Sequence, residues 1–291
     1  MPERPDLEYV VPALDRELRG RRFTALAVRK PVVLRVAVAE GADALLGRAV
    51  ERVSRRAHFV VFELSGGLDL VVSPMLAGRF ALAAPKDRAP ADLALALTLD
   101  DGRVLRYRDD VQMGKAYVVA RDGRDAVPGF AKVGVDVLDP AAFTRAAFRA
   151  MAKKRRDQVK VFLMDKGALD AMGNAYADEV CWAAKLHPKR RASTLTGEEA
   201  DRLHDAIVSV LTEARDTIRA REPPLDEKVR DFLRVRGRAG QPCPRCGVTL
   251  RSAGVHGHDA DFCPSCQPDE AGTAIVDWRK LPAKAPGART D

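Results

Sequence analysis

No stretch of this 291-residue chain holds the roughly 20 apolar residues that a membrane-spanning helix needs. The opening residues, MPERPDLEYV, are acidic and lack the apolar core of a signal peptide, so export is not expected. No internal repeat is present, and nothing implies a redox or organic cofactor. Cysteine is scarce, five residues in all, and without an export signal these thiols are expected to stay reduced in the cytoplasm or nucleoid. Lys and Arg total 49 against 41 Asp and Glu, a net charge of +8. That excess favours a polyanionic partner, although the balance alone is a weak signal.

Four of the five cysteines form two matched pairs. Cys243-Pro-Arg-Cys246 is followed, sixteen residues later, by Cys263-Pro-Ser-Cys266. Two short turns with two thiolates each suit one tetrahedral Zn²⁺. Disulfides or a redox motif are the competing readings. They fit less well, because both pairs share one spacing and nothing marks the chain as secreted. Gly247 follows the first pair, where a knuckle turn needs positive φ. Four Cys ligands leave no open position for water or substrate, so this zinc is structural and the chemistry lies elsewhere. Cys181, beside Trp182, reads as a small core residue.

The length predicts about two domains. Residues 1–125 read mostly as β, with strands at 59–64 and 68–73 joined by a Ser65-Gly66-Gly67 turn. A helix is expected over 8–18, and 42–50 is ambiguous between helix and strand. Residues 126–138 read as a linker. Helical spacing begins near Phe143 with Asp139 as candidate cap, and recurs at 158–165, 174–185, 196–219 and 225–234. Residues 235–267 form the zinc segment, and 268–291 a mobile tail. Basic residues crowd 149–160 and 228–238, where phosphate contact competes with a merely solvated helix face.

Three motifs then converge. The first is Pro2-Glu3-Arg4-Pro5-Asp6-Leu7-Glu8. The second is Met172-Gly173-Asn174-Ala175-Tyr176-Ala177-Asp178-Glu179, followed by His187-Pro188. The third is 236–242, leading into the cysteines and ending at Gln267. Together, and in order along nearly the whole chain, they resemble the formamidopyrimidine-DNA glycosylase and endonuclease VIII family. The resemblance implies an α+β fold: an N-terminal β-sandwich with flanking helices, a helix–two-turns–helix domain and a four-Cys zinc finger. It implies a base-excision-repair glycosylase with abasic-site lyase activity, acting as a monomer on damaged double-stranded DNA with no membrane partner. Removal of Met1 would free the secondary amine of Pro2 to attack the sugar C1′. A free α-amine has a pKa of about 8 and is partly unprotonated at neutral pH. The adjacent Glu3 could relay protons. Asn174 and Lys160 resemble family phosphate contacts.

Departures accompany the likeness. His58, in Arg56-Ala57-His58-Phe59, stands where the family places a Lys. His258 stands where its zinc hairpin carries an Arg, five residues before the third cysteine. Leu76, in Ser73-Pro74-Met75-Leu76-Ala77-Gly78, replaces an intercalating Met. Gln112 and Met113 replace an Arg–Phe pair, which removes an Arg reader of the partner base while keeping apolar wedges. The rival reading is a non-catalytic or lyase-only damaged-DNA-binding protein on the same scaffold.

Overall fold

The computed structural model describes residues 2–170 and 172–269. It has an α+β fold. Helix α1 (Arg4–Leu18) precedes nine strands: β1 (Phe23–Val28), β2 (Leu34–Val36), β3 (Val50–Arg56), β4 (Phe59–Leu64), β5 (Leu68–Ser73), β6 (Arg79–Ala83), β7 (Leu93–Leu99), β8 (Val104–Arg108) and β9 (Lys115–Ala120). They make a four-stranded sheet ordered β1-β7-β8-β6 and a five-stranded sheet ordered β2-β9-β5-β4-β3. Phe23, Phe62, Leu70, Leu97 and Leu105 fill one core together with Leu7, Leu14 and Leu18 of α1. Between β4 and β5, Gly66 and Gly67 take φ of 75° and 72°, the left-handed pair that a two-residue hairpin turn requires.

Helices α2 (Arg145–Lys153), α3 (Val159–Met164), α4 (Asn174–Ala183) and α5 (Gly197–Arg221) pack around Phe148, Phe162, Tyr176, Leu203 and Ile207. Thr196 and Glu199 close a capping box that starts the 25-residue α5. A final hairpin, β10 (Arg251–Val255) and β11 (His258–Phe262), carries the cysteine turns at its ends. Its tip is His256-Gly257, with φ of 45° and 79°. Among the described residues no helix is long and apolar enough to cross a membrane.

Several local expectations are corrected. Residues 225–234 are not helical. Their apolar side chains serve two cores, Leu225 against the sandwich and Phe232 with Leu233 against the helices, which one helix face could not reach. Helix α1 starts at Arg4 rather than Glu8, with Pro5 in its first turn. Thr144, not Asp139, caps α2, its Oγ1 accepting from Ala147 N at 3.2 Å. The ambiguous 42–50 divides into a 3₁₀ turn, Gly41–Leu45, and the start of β3. The stretch after β9 forms a 3₁₀ turn, Arg121–Ala126, and then buries Val127 and Phe130 against Phe59. Most of the tail expected over 268–291 lies outside the described residues.

Helix α4 ties the pieces together. Lys160 of α3 and Asp178 of α4 are both fully buried and pair at 2.5 Å. The same Lys160 ammonium donates to the backbone carbonyl of Asp259 in the zinc hairpin. Arg236 reaches the other Asp178 oxygen at 3.0 Å, and Asp261 N donates to it at 3.1 Å. Burial pushes the Asp178 carboxyl up to about 6, against the pull of Lys160. Glu179 accepts from three successive amides, Arg234, Val235 and Arg236, at 2.8–2.9 Å. Asp178→Ala strands the buried Lys160 charge, and its expected cost is roughly 3–5 kcal/mol. Asp201→Ala, which removes the partner of the half-exposed Arg149, is expected to leave the midpoint nearly unchanged, because solvent screens an exposed pair. Urea denaturation midpoints check both.

Candidate active site

The second motif of the sequence meets the first at the start of α4, and the third packs against the later turns of the same helix. Glu3 is buried, and its carboxylate accepts from the backbone amides of Gly173 at 2.8 Å, Ala175 at 3.1 Å and Tyr176 at 3.2 Å. Those N–H groups have no partner within the helix, and the positive end of the helix dipole faces the anion. A Cβ on Gly173 would lie 2.7 Å from Glu3 Cδ, so only glycine allows the carboxylate this close. Burial pushes the Glu3 carboxyl above its ordinary range, against the pull of Arg230 and the amides. The group is fixed in place yet biased toward holding a proton.

The backbone of Glu3 is held as firmly. Its N–H donates to Asp6 Oδ2 at 2.7 Å, and Arg230 grips Asp6 with both arms, at 2.8 and 2.6 Å. Pro2, one residue back, lines a small cavity with Leu7, Val10, Phe80, Leu225 and Lys228. A charged cluster lies just beyond. Arg4 pairs with Glu8 at 3.0 Å, with Asp136 at 2.8 Å and with Asp170. Arg55 shares Asp170 at 2.6 Å and donates to Ala57 O at 2.7 Å. The β3–β4 turn that carries His58 is thereby tied to the same interface. Burial, with the nearby Lys166 charge, lowers the His58 pKa to about 4. The His58 imidazole is neutral at pH 7 and no substitute for a fixed cation.

Two loops present apolar side chains outward. Leu76 is 53% exposed, Met113 43% and Val111 50%. Both loops contain a non-glycine left-handed residue, Met75 at φ 47° and Gln112 at φ 59°, a strain kept only where surroundings impose it. Buried Asp109 imposes it on the second loop, accepting from the amides of Val111, Gln112 and Gly114 at 3.1, 2.9 and 2.7 Å. A Cβ on Gly78 or Gly114 would collide with the Tyr107 hydroxyl, so the two loops close on one buried ring. Lys228 Nζ donates to Leu76 O at 3.3 Å and links the Leu76 loop to the Pro2 cavity.

Other expected contacts fall differently. Asn174 is the first residue of α4, beside the Glu3 clamp, and its buried Oδ1 lacks a partner. Its backbone is helical, without positive φ. Lys160 is internal, so the phosphate contact expected of it does not match its placement. Much of both basic runs is likewise paired within the chain: Arg155 with Asp157 and Asp165, Arg234 with Glu213, Arg236 with Asp178. Asp6, Arg230 and the Arg4–Asp170 pair were not anticipated as parts of the site. Positions 4 and 6 lay inside the N-terminal motif and 230 inside the second basic run, while nothing in the sequence marked Asp170. His258 lies exposed beside the hairpin tip.

The sulfurs of Cys243, Cys246, Cys263 and Cys266 lie within 4.8 Å of one another and could hold one metal ion. Trp182 Nε1 donates to Cys243 Sγ at 3.5 Å, while Arg245 stacks on the Trp182 ring at 3.9 Å. Buried Gln267 accepts from Cys263 N and donates to Leu186 O, both at 2.9 Å. These contacts seat the cysteine turns on the end of α4.

Three family models match the chain. They are the formamidopyrimidine-DNA glycosylase N-terminal domain over residues 1–116, that protein's H2TH domain over 133–221, and a zinc finger found in FPG and IleRS over 240–268. The formamidopyrimidine-DNA glycosylase of Pelotomaculum thermopropionicum is 32% identical over 276 residues, covering 92% of this chain and 99% of the relative. That of Symbiobacterium thermophilum is 33% identical, covering 98% and 95%. The Lactococcus lactis Fpg structure in complex with N7-benzyl-Fapy-dG DNA superposes with a TM-score of 0.82 at 26% identity, over 92% of this chain and all of that one. The complex of the same protein with abasic-site DNA gives 0.81 at 26% identity, over 91% and 99%.

The fold, the clamped N-terminal carboxylate and these likenesses define a DNA glycosylase, an enzyme class of base-excision repair. The chain belongs to the formamidopyrimidine-DNA glycosylase family.

The neutral, half-buried His58 generates a pH prediction. Below its ordinary pKa of 6.5 the unfolded chain takes up a proton at this position, while the folded chain does not until about 4. Stability present at pH 7 is therefore lost as pH falls through that window. His58→Asn should lose less stability between pH 7 and pH 5 than the unaltered protein, as read from urea midpoints at each pH.

Proposed function

We propose that this chain excises a damaged base from duplex DNA and then cleaves the strand at the abasic site, with Pro2 as nucleophile and Glu3 as proton relay. The observation that carries this reading is the clamp. Glu3 is fixed by three α4 amides while the Pro2 beside it lines a cavity at the domain junction. With Met1 removed, the lone pair of the Pro2 nitrogen attacks C1′. The C1′–base bond breaks, and the base leaves with its electron pair and gains a proton. Glu3, its pKa raised by burial, gives a proton to the ring oxygen as the sugar opens to an iminium ion. Loss of a C2′ proton then expels the 3′ phosphate. The extruded nucleotide leaves a gap that Leu76 and Met113 would fill, with Gln112 at the partner base and Asn174 and His258 near the phosphates. The four cysteines would hold one Zn²⁺ as a structural ion that keeps the β10–β11 hairpin on the DNA side.

Two measurements test this. Mixed with abasic-site duplex and borohydride, the Met-processed protein should give a trapped covalent adduct that Pro2→Gly abolishes. Tight DNA binding with no adduct would overturn the catalytic assignment. Elemental analysis should find one zinc per chain. Cys246→Ser should lose the ion and weaken DNA binding, while the far-UV signature of the remaining fold persists.

A further inference from the structure

Arg230 lies on an irregular stretch where a helix was expected, and its side chain is turned inward toward the N-terminus. Its guanidinium makes a two-armed contact with Asp6, at 2.8 and 2.6 Å. The carbon of that guanidinium sits 5.0 Å from the centre of the Tyr176 ring. Both contacts lead to the same place. Asp6 accepts the Glu3 N–H, and the Tyr176 amide donates to the Glu3 carboxylate. One cation therefore bridges the two anchors of a single residue, the backbone anchor on α1 and the side-chain anchor on α4. A third contact, from Arg230 to its neighbour's carbonyl, Val229 O, at 2.8 Å, holds the fork in line.

We propose that Arg230 is a positioning residue for the Pro2 reaction: its fork fixes Asp6, and Asp6 fixes the Pro2–Glu3 peptide against the start of α4. The proposal rests on the reading of Pro2 as nucleophile. The Pro2–Glu3 peptide is planar, so holding its N–H also fixes the plane in which the Pro2 carbonyl and Cα lie. Without Arg230, Asp6 loses the fork that orients it, and the peptide gains rotational freedom. A misplacement of about 1 Å at a reacting atom costs on the order of 10²-fold in rate. Lys at the same position could supply the charge but not the planar two-point grip.

The experiment compares the unaltered chain, Pro2→Gly, Arg230→Met and Arg230→Lys, each Met-processed. Two quantities are measured: the single-turnover rate of borohydride-trapped adduct on abasic-site duplex, and the dissociation constant for a duplex carrying the unreactive tetrahydrofuran analogue. Arg230→Met should lower the trapping rate by about 10²-fold while the dissociation constant changes by less than about threefold. Arg230→Lys should recover only part of the rate. Its recovery, read beside a thermal melt, separates loss of positioning from loss of folding. An unaltered rate in Arg230→Met, full recovery by Lys, or a binding loss as large as the rate loss would each overturn the proposal. Failure of the underlying reading looks different: either the unaltered chain gives no adduct or Pro2→Gly traps normally, and the proposal then falls with it.

Discussion

The contact between the Glu3 carboxylate and the first amides of α4 is the constraint on which the rest depends. An isolated buried carboxylate is expensive, and three backbone donors offset that cost only if the helix start and the N-terminal strand of chain are held in register. The sandwich supplies one side of that register, because α1 packs its Leu7, Leu14 and Leu18 into the β core. The helical core supplies the other through Tyr176 and Val180. Gly173 sits where the two meet and cannot carry a side chain.

The same ten-residue helix then serves the other end of the chain. Asp178 and Glu179 follow the clamp by one turn and hold the strand leading to the cysteines, and Trp182 seats Cys243. The Asp178–Lys160 pair is a weak argument for stability in itself, since desolvation consumes much of its attraction. Its value is directional: Lys160 and Arg236 both also reach the Asp259 carbonyl, so the β10–β11 hairpin has one orientation on α4.

What could be read in advance follows from how local each signal is. The metal turns were legible because ligand geometry imposes sequence spacing, and Gly247 at φ 77° meets the turn as expected. The 59–73 hairpin was legible because apolar runs flank a glycine pair. The fate of the charges was not. Lys160 finds Asp178 18 residues away and the Asp259 carbonyl 99 away, and Arg230 finds Asp6 at a separation of 224. A run of basic residues looks alike in sequence whether it faces phosphate or folds inward. The helix wrongly expected over 225–234 failed for a related reason. Its apolar spacing satisfied a helical period, but the side chains were divided between two cores.

The clamp also bears on how such a protein can be recombined. The family models divide the chain into pieces, 1–116, 133–221 and 240–268, that look exchangeable. The Glu3 contact crosses the first of those joints, and the Asp178–Glu179 contacts cross the second. A chimera taking its helical piece from a relative keeps the Glu3 contact only if the donor brings a glycine at the position of 173 and leaves its first helical amides vacant. Inheritance of this clamp is therefore set at the seams between pieces, and shuffling that respects each piece can still break it.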